Sequence, residues 1–340
     1  MSGTATGTRE LVDGEWRNGE EFARDKQHDG HDLIAQASLP PLRWLMQPNE
    51  CRFAHEAEVE FAKLLSFYGI RWAYEPTTFA VRWGDDGNPV EFVTPDFYLP
   101  DHDAYVELTT MRQRLVTRKN RKFRHLREHY PNVRVRMLYL RDFERLRETY
   151  RLPDGDRESR VARTVVAEAE VYQRIGEMAR ELIEIWQSLS REEREQRPLL
   201  MGLGPGSRRF LAALSERVRE TGTPIDSCQV AVNRFTLSDD GAKARLIRQP
   251  HVNVAGRLVV IVQEVLSTGL SAAFLAAWLR RNGAANASVC ALLDREAARI
   301  LDVPVISRGI MAPDVALAGF GLSRWHVHRH LPYIAEVEEN

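Results

Sequence analysis

Two different periods in the spacing of apolar residues predict an α/β protein. Between positions 55 and 68 apolar side chains recur every three or four residues, which is the spacing of an amphipathic helix, and Gly69 ends that pattern. Shorter apolar runs follow at 70–83 and 91–97, with the turn sequence Asp-Asp-Gly-Asn at 85–88 between them. Runs of this kind on either side of a turn predict strands joined as a hairpin.

The same patterns predict how the elements are grouped along the chain. After strands at 104–108 and 132–140, with a basic helix between them, a long helical stripe begins near residue 158. The first part therefore has the order helix, three strands, helix, strand and helix. We divide the chain into a polar arm, an α/β domain, a linking helix and a second α/β domain, at residues 1–48, 49–150, 151–171 and 172–340.

In the second half of the chain, apolar runs lead into loops of small residues. One run leads into Gly202, Gly204 and Gly206, and a longer run at 258–266 leads into Ser267-Thr268-Gly269 and a helix. A tight loop between a strand and a helix can hold a phosphate with backbone N–H groups and a hydroxyl. We therefore expect a phosphate-binding loop in the second domain.

Composition places the protein among soluble globular proteins. With 340 residues, of which 44% are hydrophobic, the chain is long enough for two domains with separate cores. No apolar run approaches the roughly 18 to 20 residues that span a bilayer, and the polar N-terminus lacks the apolar core of a signal peptide. We therefore expect a cytoplasmic protein with no membrane partner. Cys51, Cys228 and Cys290 are far apart in sequence, which argues against a disulfide framework and a zinc site.

Two acidic residues stand in an arrangement that many nucleases use to bind a divalent cation. Asp96 follows Pro95 in Thr-Pro-Asp-Phe-Tyr-Leu-Pro, and Glu107 lies on the next predicted strand. Mg²⁺ prefers such hard oxygen ligands. Together with Gly-Ile-Arg-Trp-Ala-Tyr-Glu-Pro at 69–76, this stretch resembles the PD-(D/E)xK nuclease superfamily. The resemblance implies a restriction-endonuclease-like mixed sheet with flanking helices, Mg²⁺ or Mn²⁺ as cofactor, and Glu58, Asp96 and Glu107 as metal ligands.

One position of that motif departs from the family. In the nucleases that this stretch resembles, a Lys two residues after the Glu helps to orient the attacking water, and here that position is Thr109. Either cleavage has been lost, since Thr cannot supply a cation next to the negative charge that develops on phosphorus, or the ammonium comes from another backbone position. Lys119 and Lys122 are the nearest lysines. The expected catalytic residues are Glu58, Asp96, Glu107, Lys119 and Lys122.

Charge is nearly balanced over the whole chain but not along it. The formal net charge is -1, yet the segment 111–127 contains eight Lys or Arg residues and no acid. Such a segment can neutralise backbone phosphates, or it can be an ordinary solvated helix face. Because it follows the candidate metal-binding strand, we expect it to bind nucleic acid, with DNA ahead of RNA. The residues expected to make these contacts are Arg112, Arg114, Arg118, Arg121 and Arg124.

The second half resembles the hypoxanthine-guanine type phosphoribosyltransferases over most of residues 172–334. The motifs that carry the resemblance occur in the right order, among them Ser-Thr-Gly-Leu at 267–270, Asp-Val-Pro-Val at 302–305 and Gly-Phe-Gly-Leu at 319–322. The resemblance implies a type I phosphoribosyltransferase-like parallel sheet and a nucleotide or phosphoribosyl ligand. The implied ligand-binding residues are Glu264, Ser267, Thr268, Gly269, Ser271 and Arg295.

Several positions that carry the chemistry in that family differ here. The two acids that end the strand before the loop are Gln263 and Glu264, and the Asp that accepts the proton of the purine is Ser267. The aromatic residue that stacks on the base is Ala316, and a late metal-binding Asp is Ser323. Without a proton acceptor, a stacking face and a metal ligand, little transition-state stabilisation is left, so we expect a catalytically degenerate domain, a pseudoenzyme.

The sequence thus supports a main hypothesis and two alternatives. The main hypothesis is a metal-dependent nuclease that cleaves nucleic-acid phosphodiesters and whose C-terminal domain senses a nucleotide or forms a homodimer. The first alternative is an active phosphoribosyltransferase with an altered substrate. The second is a non-catalytic protein that binds nucleic acid or nucleotides, in which Thr109 has ended cleavage.

Overall fold

The computed structural model describes most of the chain beyond residue 50. The described residues are 9–12, 15–18, 48, 51–109, 113–150, 159–190, 196–233, 235, 241–323 and 327–339. The chain separates into two compact units, Met1–Pro41 and Leu42–Asn340. In the first unit the structure describes an antiparallel hairpin of β1 (Arg9–Val12) and β2 (Glu15–Asn18). This hairpin lies within the region predicted as a polar arm.

The second unit begins with an α/β region built on a four-stranded sheet. Its elements are α1 (Glu56–Phe67), β3 (Ala73–Tyr74), β4 (Phe79–Trp83), β5 (Pro89–Val93), β6 (Phe97–Leu99), β7 (Ala104–Thr109), α2 (Gln113–His129), β8 (Val135–Tyr139) and α3 (Leu140–Tyr150). The sheet has the order β3-β6-β7-β8, while β4 and β5 form a separate hairpin. The β7–β8 pair is parallel, because α2 connects these two strands as a crossover.

Both faces of this sheet pack against helices, because side chains alternate along its strands. On β7, Val106 belongs to the apolar cluster that includes α1, whereas Tyr105 belongs to the cluster that includes Phe123 of α2. Glu107 and Thr109 lie on the same face as Tyr105, and both are buried. Two polar side chains are therefore enclosed between the sheet and α2.

Two of the predicted strands are interrupted, and their parts belong to different sheets. The strand predicted at 70–79, with 81–83 as its continuation or its partner, is divided into β3 and β4, and the strand predicted at 91–97 into β5 and β6. Each division contains a proline, Pro76 or Pro95, which cannot donate a ladder hydrogen bond. At the first division Glu75 also has a left-handed backbone conformation, with a φ of 44°. The predicted order of helices and strands is nevertheless present in this region.

The remainder of the second unit is built on a six-stranded sheet. Its helices and strands are β9 (Ser159–Val166), α4 (Glu168–Ser188), β10 (Leu199–Leu203), α5 (Arg208–Glu220), β11 (Asp226–Val232), β12 (Leu246–Arg248), β13 (Leu258–Leu266), α6 (Leu270–Arg281), β14 (Asn286–Asp294), β15 (Val305–Met311), β16 (Leu317–Ala318) and β17 (Ile334–Glu339). The sheet has the order β12-β11-β10-β13-β14-β15, and its strands are parallel except β12. Strands such as β10, which is buried along its whole length, are typical of a parallel sheet covered on both faces.

The prediction of a linking helix at 151–171 is wrong for those residues of this segment that the structure describes. Residues 159–166 form β9, which pairs antiparallel with β17, and the following helix starts at Glu168. Several β-branched residues in this segment favour a strand, but their spacing also matches a helical stripe. Pairing with a distant part of the chain decides between the two, and no local pattern contains that information.

The two α/β regions of the second unit share an apolar cluster, although separate cores were expected. The Tyr68 ring meets the Phe274 ring edge to face, and its hydroxyl lies 3.0 Å from Ser271 Oγ. Arg136 of β8 donates to the carbonyl oxygen of Arg299 at 2.8 Å. These contacts join the regions into one compact unit, and the predicted boundaries between the domains stay predictions.

The lengths of the helices and the state of the cysteines can be compared with the expectations about a membrane span and a disulfide framework. Of the helices that the structure describes, none is both long and apolar enough to cross a membrane. Cys51, Cys228 and Cys290 form no disulfide in the described part of the chain, and the last two are buried. Burial raises the pKa of Cys228 to about 11 and that of Cys290 to about 12, so both stay protonated and unreactive at neutral pH.

Candidate functional site

Two buried carboxylates meet where β6 and β7 run side by side. Asp96 immediately precedes β6 and Glu107 lies in β7, and the two residues are 8% and 1% exposed. The Asp96 N–H donates to Glu107 Oε2 at 3.2 Å, and the Leu108 N–H donates to Asp96 Oδ2 at 2.6 Å. The backbone of each strand thus holds the carboxylate of the other, and the structure brings the predicted pair together.

Of the two candidate lysines, one joins the carboxylate pair. Lys119 extends from α2 to form an ion pair with Glu107 Oε1, and its Nζ also donates to the Leu108 carbonyl oxygen at 3.2 Å. Lys122 instead donates to the Phe92 carbonyl oxygen at 2.8 Å, because its position on α2 faces the β4–β5 hairpin. The structure therefore does not bring Lys122 to the carboxylate pair, and a catalytic role for this lysine stays a prediction.

The hydroxyl of Thr109 is buried beside this group. Thr109 is 1% exposed, and its Oγ1 has no hydrogen-bond partner among the residues that the structure describes. It lies two residues after Glu107 on the same face of β7, where the nucleases that this region resembles have a lysine. A short side chain there leaves space for an ammonium from another element, and Lys119 places one on Glu107.

Glu58 is close to the pair but is held by the start of its own helix. Its Oε2 accepts hydrogen bonds from the Ala54 and His55 N–H groups at 2.9 and 3.2 Å and from the Tyr74 hydroxyl at 2.8 Å. A glutamate in the first turn that bonds back to the N-cap backbone forms half of a capping box. In the described part of the chain Glu58 makes no hydrogen bond to Asp96, so its evident role here is to begin α1.

Burial makes two negative charges in the carboxylate pair unfavourable. Burial and the charge of Glu107 raise the pKa of Asp96 far above its ordinary value. Burial also raises the pKa of Glu107, although the ammonium of Lys119 opposes this effect. Carboxyl groups with pKa values raised in this way cluster at functional sites, where a proton or a bound cation relieves the charge.

A hard divalent cation fits the chemistry of these donors. The pair offers carboxylate oxygens, which Mg²⁺ and Mn²⁺ prefer, and the buried Thr109 hydroxyl adds an oxygen without a partner in the described region. Among the described residues, however, no group of three or more His, Cys, Asp or Glu side chains is arranged to hold a metal ion. Asp96 and Glu107 are therefore the two candidate ligands in place, and a third needs a side chain to turn towards them.

The basic helix presents arginines at the surface near this site. Arg118, Arg121 and Arg124 are exposed on α2 at a spacing of three residues, which keeps them on neighbouring parts of the helix surface. Arg112 and the side chain of Arg114 lie outside the described residues. Exposed guanidinium groups beside a carboxylate pair suit backbone phosphates, and nucleic-acid binding stays a prediction.

A second group of predicted residues lies at the carboxyl ends of the parallel strands. β10 ends before a glycine loop at 204–206, β13 ends before Ser267-Thr268-Gly269, and Arg295 follows β14. In open parallel sheets ligands bind at this edge. Gly269 has a φ of 82° and is the N-cap of α6, so the loop leads into a helix N-terminus, where backbone N–H groups attract anions.

The backbone of this phosphate loop (residues 267–271) is fixed from behind. The Ser267 carbonyl oxygen accepts from Arg299 Nε at 2.8 Å, and the Thr268 carbonyl oxygen accepts from two backbone N–H groups at 2.9 and 3.0 Å. The Ser271 hydroxyl is bonded to the Tyr68 hydroxyl of the other α/β region. The loop is therefore pre-shaped, and one of its hydroxyls is tied to the region that holds the carboxylate pair.

The two charged candidates near the phosphate loop have different surroundings. Glu264 lies beside the glycine loop, where Gly206 leaves the space that its carboxylate occupies. Burial raises the pKa of Glu264 to about 7, while the charge of Arg329 opposes this effect. Arg295 donates to the Val315 carbonyl oxygen at 3.0 Å. Burial thus disfavours the ionised form of the acid that remains at this strand end.

Three residues that shape these sites were not predicted from the sequence. Tyr68 ties the phosphate loop to the other region, and Arg299 forms a buried ion pair with Asp294 behind that loop. Glu75 lies beside Asp96, to whose carbonyl oxygen its N–H donates at 2.8 Å. Of the three, Glu75 alone had a sequence signal, since it belongs to the Tyr-Glu-Pro part of a stretch that was already singled out.

Comparison with known proteins matches the C-terminal half of the chain, although no protein-family model matches it. The hypoxanthine phosphoribosyltransferase of Salmonella typhimurium is 28% identical over 179 residues, which are 51% of this chain and 93% of that protein. The hypoxanthine-guanine phosphoribosyltransferase of Lactococcus lactis is 28% identical over 184 residues, which are 52% of this chain and 92% of that protein. A crystal structure of a hypoxanthine-guanine phosphoribosyltransferase from Bacillus anthracis has a TM-score of 0.46 and 20% identity, and covers 53% of this chain and 100% of that chain.

These matches support the resemblance to phosphoribosyltransferases and not the resemblance to nucleases. They leave the carboxylate pair outside the matched region and give no support to nuclease activity or to a degenerate domain. Of the functions weighed from the sequence, they favour the alternative of a phosphoribosyltransferase over the nuclease. Residues from about 160 to 340, half of the chain, therefore form a hypoxanthine-guanine phosphoribosyltransferase-like domain.

Proposed function

We propose that the chain carries two sites. The first lies in the C-terminal half, where it binds a phosphoribosyl ligand and transfers the ribose 5-phosphate group of that ligand to an acceptor. The support is the match of this half to hypoxanthine-guanine phosphoribosyltransferases over nearly their whole length. The phosphate loop at the N-terminus of α6 suits a phosphate group. Glu264, near the end of β13, is the residue that we propose to accept hydrogen bonds from ribose hydroxyls.

The side chains at this site favour an acceptor other than the purine bases. In the transfer, the bond from ribose C1′ to pyrophosphate breaks, pyrophosphate leaves with the bonding electrons, and a ring nitrogen of the acceptor bonds to C1′ and loses its proton. Ser267 stands where the resembling family has a proton-accepting Asp, and a hydroxyl is a far weaker base. Ala316 stands where that family has a stacking aromatic residue. We therefore propose an acceptor whose N–H is more acidic than that of a purine.

Release of pyrophosphate from phosphoribosyl pyrophosphate tests this activity. The full chain would be incubated with Mg²⁺ and a panel of purines, pyrimidines and more acidic ring N–H compounds, beside Glu264→Gln and the control Glu338→Gln. Glu338 is exposed and paired with Arg160. We expect release with at least one acceptor and a loss of about 10-fold or more in Glu264→Gln, since a hydrogen bond to a charged group contributes about 1.5–3 kcal/mol. The proposal would be contradicted if the full chain released no pyrophosphate with any acceptor and also failed to bind phosphoribosyl pyrophosphate.

The second site is the carboxylate–lysine group (Asp96, Glu107 and Lys119), for which we propose metal-dependent hydrolysis of nucleic-acid phosphodiesters. One observation carries this second candidate: the three side chains come from different parts of the fold and meet in one largely buried group. A purely structural role is a poor explanation, because adjacent carboxylates with raised pKa values destabilise the folded state.

The residues of this group divide the work of hydrolysis between them. A water oxygen attacks phosphorus, the bond from phosphorus to the leaving ribose oxygen breaks, and that oxygen takes up a proton. Lys119 donates a hydrogen bond to a non-bridging phosphate oxygen and so stabilises the negative charge that develops on phosphorus. Asp96 and Glu107 would hold Mg²⁺ or Mn²⁺, which when bound supplies a Lewis acid and a water of lowered pKa. The exposed arginines of α2 contact the neighbouring phosphates.

Cleavage of labelled DNA and RNA in Mg²⁺ or Mn²⁺ tests the hydrolysis. Asp96→Asn removes one ligand charge with little change of shape, and Asp101→Asn is the matched control, because Asp101 is exposed and paired with Arg71. We expect Asp96→Asn to lose at least about 100-fold in rate, the scale of removing one stabilising group from a transition state, and the control to keep its rate. Equal rates in both variants would mean that the cleavage does not come from this site.

A further inference from the structure

We propose that Glu75 is the third carboxylate of the cation site, in place of Glu58. The inference rests on the hydrolysis proposed above and names a residue that neither the nuclease resemblance nor the comparisons assign. Asp96 and Glu107 supply two carboxylates, and a hard divalent cation takes six or so oxygen ligands. Further oxygens must come from water and from neighbouring side chains that can turn towards the pair.

The backbone holds Glu75 against Asp96. The strands β3 and β6 pair antiparallel, with Tyr74 opposite Phe97. The next bond beyond this pair runs from the Glu75 N–H to the Asp96 carbonyl oxygen at 2.8 Å. Glu75 is the first residue beyond β3, and its negative charge acts on Glu107 of the pair. Glu75 therefore lies next to the site, at the end of the strand that borders Asp96.

The backbone conformation of Glu75 is one that few residues other than glycine adopt. Its φ of 44° lies in the left-handed region, and Pro76 follows it. Glycine takes this conformation without strain, so a glutamate here makes the fold less stable than a glycine would. Strain of this kind persists where the surroundings force it, and it is common at binding and catalytic sites. A carboxylate that binds a ligand gives a physical reason for a glutamate at this position.

Glu75 is free to turn, whereas Glu58 is not. In the described part of the chain the Glu75 carboxylate makes no hydrogen bond and no ion pair, and it lies close enough to Glu58 and Lys119 to feel both charges. Glu58 Oε2, in contrast, accepts the three hydrogen bonds that fix the start of α1. Turning Glu58 towards the pair would break these bonds and leave backbone N–H groups of the first turn without partners.

An independent feature of the site also points to a ligand. Thr109 Oγ1 is buried on the face of β7 that carries Glu107 and has no hydrogen-bond partner among the described residues. A buried hydroxyl without a partner is unfavourable, so a bound cation or its water beside Thr109 would stabilise it. The hydroxyl would then join the carboxylates of Asp96, Glu107 and Glu75 as an oxygen donor once the Glu75 side chain turns towards the pair.

Binding of Mn²⁺ to the full chain tests this assignment without any measurement of activity. Glu75→Gln and Glu58→Gln are a matched pair, because each removes one negative charge near the site and keeps the shape of the side chain. The affinity for Mn²⁺ would be measured by calorimetry and the bound fraction by electron paramagnetic resonance. We expect Glu75→Gln to weaken Mn²⁺ binding by about 10-fold or more and Glu58→Gln by about 3-fold or less, since ligand loss exceeds the loss of a nearby charge.

A second variant separates ligation from folding. Glu75→Gly removes the carboxylate but suits the left-handed backbone, so we expect a higher Tm together with the same loss of Mn²⁺ affinity. Three outcomes overturn the inference: a larger loss in Glu58→Gln than in Glu75→Gln, full affinity in both Glu75 variants, or no Mn²⁺ binding by the wild type. The last outcome also removes the proposed hydrolysis, whereas the first two leave it in place with a different ligand set.

Discussion

The carboxylate–lysine group and the phosphate loop keep different parts of what a catalytic site needs. In the first, the charged side chains are in contact, with an ammonium from α2 on a buried acid pair. In the second, the backbone is in place at the start of α6, but Gln263 and Ser267 replace acids of the resembling family. A phosphate cradle survives such changes because it is made of backbone N–H groups, whereas proton transfer depends on side-chain identity.

The two sites also differ in how their charges are balanced. Behind the phosphate loop, Asp294 is paired with Arg299, both almost fully buried, and Arg308 Nε lies 3.3 Å from the other carboxylate oxygen. Every buried charge there has an opposite partner, which is how structural ion networks are built. At the carboxylate–lysine group two acids share one ammonium. Unbalanced buried charge destabilises a fold and is common at functional sites, which supports the hydrolysis that we propose for this group.

The largest change in the rate of cleavage is expected from Lys119→Ala. It removes the ammonium from Glu107, so cleavage should fall by about 100-fold to 1,000-fold. Lys122→Ala is the control, because Lys122 contacts the carbonyl oxygen of Phe92, and we expect a change of about 3-fold or less. Rates of cleavage of labelled DNA measure both.

A double variant tests where the ammonium has to be. Thr109→Lys in the Lys119→Ala background restores a lysine at the position that the resembling nucleases use. We expect it to recover part of the lost rate, because the ammonium again lies beside Glu107. If Lys119→Ala and Lys122→Ala lose activity equally, the distinction drawn between the two lysines is wrong.

A smaller effect is expected from the exposed arginines of α2. The triple variant Arg118→Ala, Arg121→Ala, Arg124→Ala should bind DNA more weakly, and the slope of log K against log salt should be less steep by about 0.9 for each lost phosphate contact. The control removes Arg160 and Arg163, which pair with glutamates on β17. An unchanged salt slope in the triple variant would show that this helix face is only solvated.

The pH dependence of the free energy of unfolding should distinguish the pair Asp96 and Glu107 from the charge-balanced network around Asp294. Burial raises the pKa of Asp96 above its ordinary value of 3.8, so the folded state binds a proton that the unfolded state releases. In EDTA, stability is therefore expected to be lost as the pH rises from about 4 through the raised pKa. Asp96→Asn removes this dependence and should raise Tm by more at pH 8 than at pH 5, measured by thermal unfolding. A constant difference in Tm would contradict the raised pKa.

The smallest effect concerns the link between the two sites. Tyr68→Phe removes the bond to Ser271 but keeps the ring packed on Phe274. We expect it to lower the free energy of unfolding by about 1 kcal/mol, the typical contribution of one hydrogen bond. A double-mutant cycle with Ser271→Ala in urea measures the coupling. Purely additive effects of the two substitutions would mean that this bond does not join the regions in solution.

Much of the carboxylate–lysine group could be predicted from the sequence. The rest could not, because it depends on contacts between distant parts of the chain. Asp96 and Glu107 were predicted as a pair, and they meet because they lie on adjacent antiparallel strands. Glu58 was predicted as a ligand from its place on α1, but its carboxylate caps that helix. A first-turn glutamate serves either purpose, and the choice depends on where Tyr74 and the backbone before the helix lie.

Local patterns in the sequence were sufficient to predict the α/β character, the alternation of helices and strands between residues 55 and 150, and the loop that leads into α6, because hydrophobic periods and turn residues act locally. Three features are visible only in the folded protein. Lys119 and not Lys122 reaches Glu107, and residues 159–166 pair as a strand. In addition, Glu75 lies beside Asp96. These outcomes depend on how a helix docks, on pairing between distant segments and on a left-handed φ. None of them follows from local spacing, because contacts between residues far apart in the chain set all three.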